Sequence, residues 1–264
     1  MPPHTYVQGM DNDAPVPALR PSEPPAEIIA AIAARHHRAG RGVMAVVNRL
    51  GTSFEDRLQA LPEGWRNRLD GATEAALLRA YGLARAGGRV PTIGGRGHVA
   101  LASISGALGG LGGLPSALAE LPVAVTLILH QIQEVADHYG FDPAADPTRR
   151  ETLQVFGAGS PLADDDGANS AFIGARLTFT GPALNRMIAT IAPRLATALG
   201  PKLAAQAVPV LGAAAGAGLN AAYMGYYREM AHVRFGLLRL ALDHDPLAVQ
   251  DAFRRAVAPG RIAR

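Results

Sequence analysis

Two long stretches of this sequence contain no charged residue, and they constrain its fold more than any other feature. They cover residues 99–119, VALASISGALGGLGGLPSALA, and residues 203–227, LAAQAVPVLGAAAGAGLNAAYMGYY. Gly-x-x-x-Gly spacings within them remove side chains from one face of a helix, so that two backbones can approach closely. The pairs are Gly106 with Gly110, Gly109 with Gly113, and Gly212 with Gly216. The pattern therefore predicts closely paired helices.

Such pairing suits either the core of a soluble protein or the interior of a membrane. The length of the two segments, about 20 residues, approaches what a bilayer requires. Against a membrane span, the segments are rich in Gly and Ala rather than Leu and Ile, and Pro115 and Pro209 interrupt them. We therefore expect a hairpin within a soluble core, and keep segments that touch or enter a membrane as the alternative.

Composition favours an all-α fold for the rest of the chain. Hydrophobic residues make up 48% of the 264 positions but aromatic residues only 5%, and no alternating strand pattern stands out. We predict a multi-helix bundle with two closely packed Gly-rich helical segments, forming a single helical domain over residues 26–264. Residues 1–25 are Pro-rich and polar, which predicts a disordered arm, because proline favours the extended polyproline conformation over a helix.

Proline, glycine and aspartate mark the ends of the predicted helices. One helix is expected at 26–40, and a second is expected at 122–139, opened by its proline and followed by Gly140. Two Asp-Pro pairs combine an N-cap residue with a proline at the first helical position. They predict helices at 147–157 and 246–257.

Residue types exclude several common classes of site. The chain has no Cys, which excludes disulfides, thiolate catalysis and cysteine metal ligands. Its only lysine, Lys202, is followed by Leu203, so a phosphate-binding loop is excluded, and no Gly-x-Ser-x-Gly elbow occurs. The net charge is +3, but the Arg residues are spread along the chain without a basic run. We therefore expect no nucleic-acid partner.

One segment carries a pattern that suits metal binding, HQIQEVADHYG at residues 130–140. Its residues His130, Glu134 and His138 share a helix face, but eight residues rise about 12 Å, so both histidines cannot bind one ion. A workable site combines Glu134 and His138 with Glu229 and His232, which have the Glu-x-x-His spacing of helical carboxylate sites. The competing interpretation is that all four are polar residues on the exposed edges of helices.

The two uncharged segments and the helix between them resemble the EcsC family of bacterial proteins over roughly residues 95–240. A Gly-rich stretch leads through Leu-Pro into an apolar helix ending in Tyr-Gly and an acidic residue, and a Val-Pro-x-Leu-Gly-Ala-x-x-Gly-Ala-x-x-Asn signature follows. At the position of His130 the family more often has Arg, which argues against a metal ligand there. The residues that we assign to helix packing or to these motifs are Gly106, Gly109, Gly110, Gly113, Pro122, Tyr139, Gly140, Pro209, Gly212, Gly216 and Asn220.

The resemblance supplies a family name but no mechanism. The family is named for a protein encoded beside an ABC transporter, and no biochemical activity is known for it. The expected role therefore depends on the two uncharged Gly-rich segments together with the resemblance. We expect a cytoplasmic, non-enzymatic accessory protein without a cofactor, peripheral on the inner membrane or on a membrane complex such as an ABC transporter. The alternative is a metal-dependent hydrolase or oxidoreductase with its Glu/His site between two helices. A third option is an interaction scaffold that binds a partner through its Pro-rich arm. The oligomeric state is left open.

Overall fold

The structure, a computed structural model, describes residues 23–50, 92–111, 113–157 and 209–258, together with Ala75 and Leu78. Within these ranges the regular elements are α-helices and no strand occurs, so the prediction of an all-α fold is confirmed. The predicted arm at residues 1–25 lies outside the described residues except for its last three positions. The helices are α1 (Ala26–Leu50), α2 (Gly94–Leu111), α3 (Gly113–His138), α4 (Asp146–Gly157), α5 (Pro209–Asp243) and α6 (Pro246–Val257).

Helix α5 organises the described part of the chain. Its 35 residues give it a length of about 52 Å, and each of the other five helices packs against it. Its C-terminal half forms an apolar cluster with α1 and α6. The buried members are Ile29, Ile32, Ala33, Val233, Leu237, Leu240, Val249 and Phe253.

The N-terminal half of α5 packs closely against α2. A Cβ atom added to Gly106 would lie only 2.3 Å from the carbonyl oxygen of Gly216, so the two backbones touch without an intervening side chain. A Cβ added to Gly109 would lie 3.0 Å from the Cβ of Glu120 on α3. The absence of side chains at these positions lets three helices meet at short distances.

Helix ends follow the local chemistry of the sequence. The Asp245 carboxylate accepts a hydrogen bond from Leu247 N at 3.1 Å and Pro246 occupies the first turn, so the prediction for α6 is confirmed. Helix α3 ends at His138, and Gly140 just beyond it has a left-handed backbone with a φ of 82°. The amides of Gly140 and Phe141 bond the carbonyls of Asp137 and Ala136, the pattern of a Schellman motif.

Two predicted helix boundaries are wrong. Helix α1 continues through Gly40 to Leu50, because an interior glycine costs a helix only about 1 kcal/mol and does not by itself end it. Helix α3 begins at Gly113 rather than at Pro122, which lies inside it. The hydroxyl of Thr126, one turn farther along α3, donates a hydrogen bond to the Pro122 carbonyl oxygen at 2.8 Å, as threonines within helices commonly do.

Candidate functional site

The structure does not gather the four residues predicted to bind a metal. Both carboxylate oxygens of Glu229 accept hydrogen bonds from Nη1 of Arg35, at 3.2 and 3.1 Å, and Nη2 of Arg38 lies 3.7 Å away. Glu134 instead binds the backbone at the start of α2. The two carboxylates therefore have different partners, since the arginines of α1 neutralise Glu229.

The two predicted histidines lie beside each other near the end of α3. The rings of His138 and His232 are 5.9 Å apart between centroids, and Nδ1 of His232 lies 3.3 Å from the hydroxyl oxygen of Tyr139. Burial, followed by the positive charges of Arg35 and Arg228 and by His138, lowers the pKa of His232 to about 4. His232 is therefore neutral at pH 7 and packs against an aromatic ring.

A different group of donors does converge, and it includes a residue that the sequence reasoning missed. One ligand atom from each of His98, His130 and Glu134 can be chosen so that the three atoms lie within 4.8 Å of one another. No other group of three His, Cys, Asp or Glu residues in the described ranges meets that criterion. His98 precedes His130 by 32 positions, and the signal in the sequence was a single histidine next to a 21-residue uncharged stretch.

Two hydrogen bonds fix the orientation of the His98 ring, which is fully buried. Its Nδ1 lies 2.9 Å from the carbonyl oxygen of Gly94, and because a carbonyl only accepts, Nδ1 carries the proton. In the neutral ring Nε2 is then the acceptor, and it lies 2.7 Å from Nδ1 of His130. The two rings are tilted by 33° with centroids 5.0 Å apart.

Glu134 is held by the N-terminus of α2. Its Oε1 accepts hydrogen bonds from the amides of Ile93 at 2.6 Å and Gly94 at 3.3 Å. The amides at a helix start lack intrahelical partners and favour negative charge, so the carboxylate is well placed there. Its oxygens also lie 3.7 Å from Nδ1 of His98 and 3.9 Å from Nδ1 of His130.

The motif residue Asn220 bridges three helices beneath the Gly-rich segments. Its Nδ2 donates to the carbonyl oxygen of Ala102 at 2.7 Å and to Oε1 of Glu120 at 2.8 Å. The Ser105 hydroxyl donates to the same carboxylate oxygen at 2.8 Å. Because Asn220 and Glu120 are both buried, these bonds satisfy polar groups that would otherwise oppose packing.

Helix α2 is apolar on two opposite faces, of which only one is buried. Its buried residues are His98, Ala102, Gly106, Gly109 and Gly110. Leu101, Ile104, Leu108 and Leu111 are 44%, 58%, 62% and 55% exposed, and helical geometry places them within an arc of about 80°. We call these four residues the apolar face of α2. Val123 on α3 is a further exposed apolar residue, at 50%.

None of the helices in the described ranges combines the length and hydropathy that a membrane crossing requires.

Comparison with known proteins identifies the family. No curated protein and no solved structure matches the chain. The profile of the EcsC protein family matches residues 94–240, which contain α2 to α4, most of α5 and both uncharged segments. Because this match covers more than half of the sequence, the chain belongs to the EcsC protein family.

Proposed function

We propose that this protein is a non-enzymatic accessory protein that binds a membrane surface peripherally through the apolar face of α2. The observation that carries the proposal is the exposure of Leu101, Ile104, Leu108 and Leu111 on a helix whose other face is already buried. A helix that is apolar all round is ordinarily enclosed by protein or lipid, and a contiguous exposed apolar patch marks an interaction surface.

Lipid is a suitable partner for this face because the neighbouring residues in the sequence carry no charge. Residues 99–119 contain no charge, so α2 from Val99 onward and the start of α3 could enter the boundary between headgroups and acyl chains without burying an ion. The chain carries a net charge of +3, which favours a membrane with anionic headgroups. This combination suits a helix that lies in the membrane interface.

The exposed area is sufficient for reversible binding. Full burial of a Leu or Ile side chain contributes about 1.5–3 kcal/mol, so burying the exposed fractions of these four would contribute on the order of 5 kcal/mol. That energy corresponds to a weak partition onto lipid, and it is smaller than that of a spanning helix. Only the family resemblance supports the further part of the proposal, an accessory role beside a membrane complex such as an ABC transporter.

Flotation with liposomes tests the proposal directly. The protein should float with vesicles that contain anionic lipid, and the double variant Ile104→Ser/Leu108→Ser should lower the lipid partition coefficient by about 50-fold, from a loss of roughly 2–3 kcal/mol. The matched control is Leu242→Ser/Leu247→Ser. Leu242 lies near the C-terminal end of α5 and is 64% exposed, and Leu247 lies on α6 and is 68% exposed. This control should float like the unaltered protein.

Two outcomes would overturn the proposal. One is an unaltered protein that stays unbound at low salt with anionic vesicles present. The other is equal flotation of the α2 variant and the control variant. Binding to native membrane vesicles but not to liposomes would assign the surface to a protein partner instead of lipid.

A further inference from the structure

Glu134 differs from two other half-buried carboxylates in its ion-pair partners. The side chains of Glu134, Glu151 and Glu229 are 17%, 18% and 23% exposed. Glu151 pairs with Arg234, and Glu229 pairs with Arg35 and Arg38. In the described ranges, the ion-pair partners of Glu134 are two histidines, which carry a charge only when protonated.

A carboxylate removed from water requires a compensating positive charge or several hydrogen-bond donors. The amides of Ile93 and Gly94 supply part of this compensation for Glu134. A cation shared with His98 and His130 would supply the rest. That cation is either a proton held by the imidazole pair or a metal ion bound by all three side chains.

The surroundings of the three side chains resemble the outer shell of a metal site. A histidine that binds a metal ordinarily donates its other N–H to a carbonyl or carboxylate, which fixes the ring and its tautomer. Nδ1 of His98 does this with the carbonyl oxygen of Gly94, leaving Nε2 directed at His130. Ligating carboxylates are likewise held by hydrogen bonds, as the two amides hold Glu134.

We propose that His98, His130 and Glu134 bind one divalent transition metal ion of the Zn²⁺ or Fe²⁺ class. Two imidazoles with one carboxylate form a donor set that both ions use, with positions left open for water or another ligand. This site differs from the predicted set of Glu134, His138, Glu229 and His232 and shares only Glu134 with it. It also assigns a ligand role to His130, against the expectation drawn from the family resemblance, because the tertiary structure brings His98 to 2.7 Å from that side chain. It is independent of the membrane proposal, because it lies at the N-terminal end of α2 and uses its buried face.

Metal binding requires all three side chains to adjust, because the two histidine nitrogens are too close together and Oε1 of Glu134 lies 3.9 Å from Nδ1 of His130. Ligand distances of about 2.0–2.1 Å place tetrahedral donors roughly 3.3 Å apart, whereas Nε2 of His98 and Nδ1 of His130 are 2.7 Å apart. The two nitrogens therefore separate by about 0.6 Å as the ion replaces their hydrogen bond. The proton on Nδ1 of His130 moves to Nε2 of the same ring. This change of tautomer frees Nδ1 to bind the ion and leaves the charge of the ring unchanged.

Elemental analysis of protein purified without an affinity tag is the first test. After removal of bound ions with a chelator and reloading with Zn²⁺ or Fe²⁺ in separate samples, gel-filtered protein should retain about one equivalent of one of them. Loading with Co²⁺ should produce the visible absorption bands of a nitrogen and oxygen site. Retention of less than about a tenth of an equivalent of every ion would overturn the proposal and leave the proton-sharing histidine pair.

Two substitutions and a control locate the site. His98→Gln removes one ligand, and Glu134→Gln removes the negative charge while an amide oxygen remains to accept from Ile93 and Gly94. Each should weaken binding by more than about 100-fold, because even outer-shell substitutions cost about 10–100-fold. His138→Gln, one turn beyond Glu134 on the same helix, should bind like the unaltered protein. Unchanged binding in both ligand variants would show an adventitious ion only and refute the site.

The Co²⁺ spectrum of the unaltered protein keeps the test decisive if His98→Gln does not fold. Imidazole coordination also changes the histidine ring resonances in a nuclear magnetic resonance spectrum. If one equivalent of Co²⁺ removes the ring resonances of both His98 and His130, the result supports the proposal. Loss at the exposed His138 with the pair unaffected would contradict it.

Discussion

Replacing Gly106 with alanine is predicted to destabilise the fold, because no space for a methyl group exists between α2 and α5. The added Cβ would lie 2.3 Å from the carbonyl oxygen of Gly216 and 2.7 Å from Nδ2 of Asn220. The nearer atom belongs to a helix backbone and cannot rotate away. Since a carbon and a carbonyl oxygen in contact lie at least about 3.3 Å apart, the two helices must separate by about 1 Å.

Two opposing effects set the magnitude. Overpacking of a close contact costs about 1–3 kcal/mol, and a rigid backbone on both sides places Gly106→Ala near the upper end of that range. Replacing an interior helix glycine with alanine also stabilises a helix by about 1 kcal/mol. The net effect should be a free energy of unfolding that is lower by about 2 kcal/mol. For a domain of this size, that change lowers Tm by roughly 4–8 °C.

Gly225 on α5 provides the matched control, because a Cβ added there meets nothing within 4 Å. Gly225→Ala should raise the free energy of unfolding by about 1 kcal/mol through helix propensity alone. Thermal unfolding followed by far-ultraviolet circular dichroism, with urea unfolding as a second measure, would compare the two variants. Gly106→Ala protein that unfolds at or above the Tm of the unaltered protein would refute the close backbone contact.

Two further predictions concern buried ionisable groups. Arg234 is 2% exposed and its Nε donates to Glu151 at 2.7 Å, so Arg234→Ala should lower the free energy of urea unfolding by about 2–3 kcal/mol, because it leaves the half-buried Glu151 carboxylate without its partner. The exposed Arg239 is the control, and Arg239→Ala should change stability by less than about 0.5 kcal/mol, whereas equal losses would contradict the pairing argument. The pKa of His232 is about 4 in the folded protein against 6.5 ordinarily, so the unfolded chain takes up this proton first as pH falls, and stability should decrease between pH 6.5 and 4. His232→Gln should flatten that part of the stability profile, and a histidine resonance of His232 that titrates near pH 6.5 would show that the reasoning is wrong.

Much of the helical framework could be predicted from the sequence, because caps and glycine ends act over a few residues. Asp245 with Pro246 begins α6, and Gly140 ends α3, at the positions where local chemistry places them. The same local rules are wrong at Gly40 and at Pro122, both of which lie inside helices. There the packing of a long helix outweighs a local cost of a few kcal/mol at most.

The candidate site was only partly predictable. The sequence places His130 and Glu134 on one helix face, since they are four residues apart. It could not supply His98, which joins them only because α2 packs against α3. It also could not show that Glu229 meets arginines of α1, since that pairing joins residues 194 positions apart.

By itself, the sequence determined that this chain forms helices, where several of them end, and that its uncharged Gly-rich segments permit close backbone approach. These properties follow from periodicity, caps and side-chain size, which act within a few residues. Only the tertiary structure decided which apolar face of α2 is buried against α5 and which remains exposed, and which cation faces each carboxylate. Those outcomes depend on how helices cross and on which charges meet across them, and no local pattern encodes either.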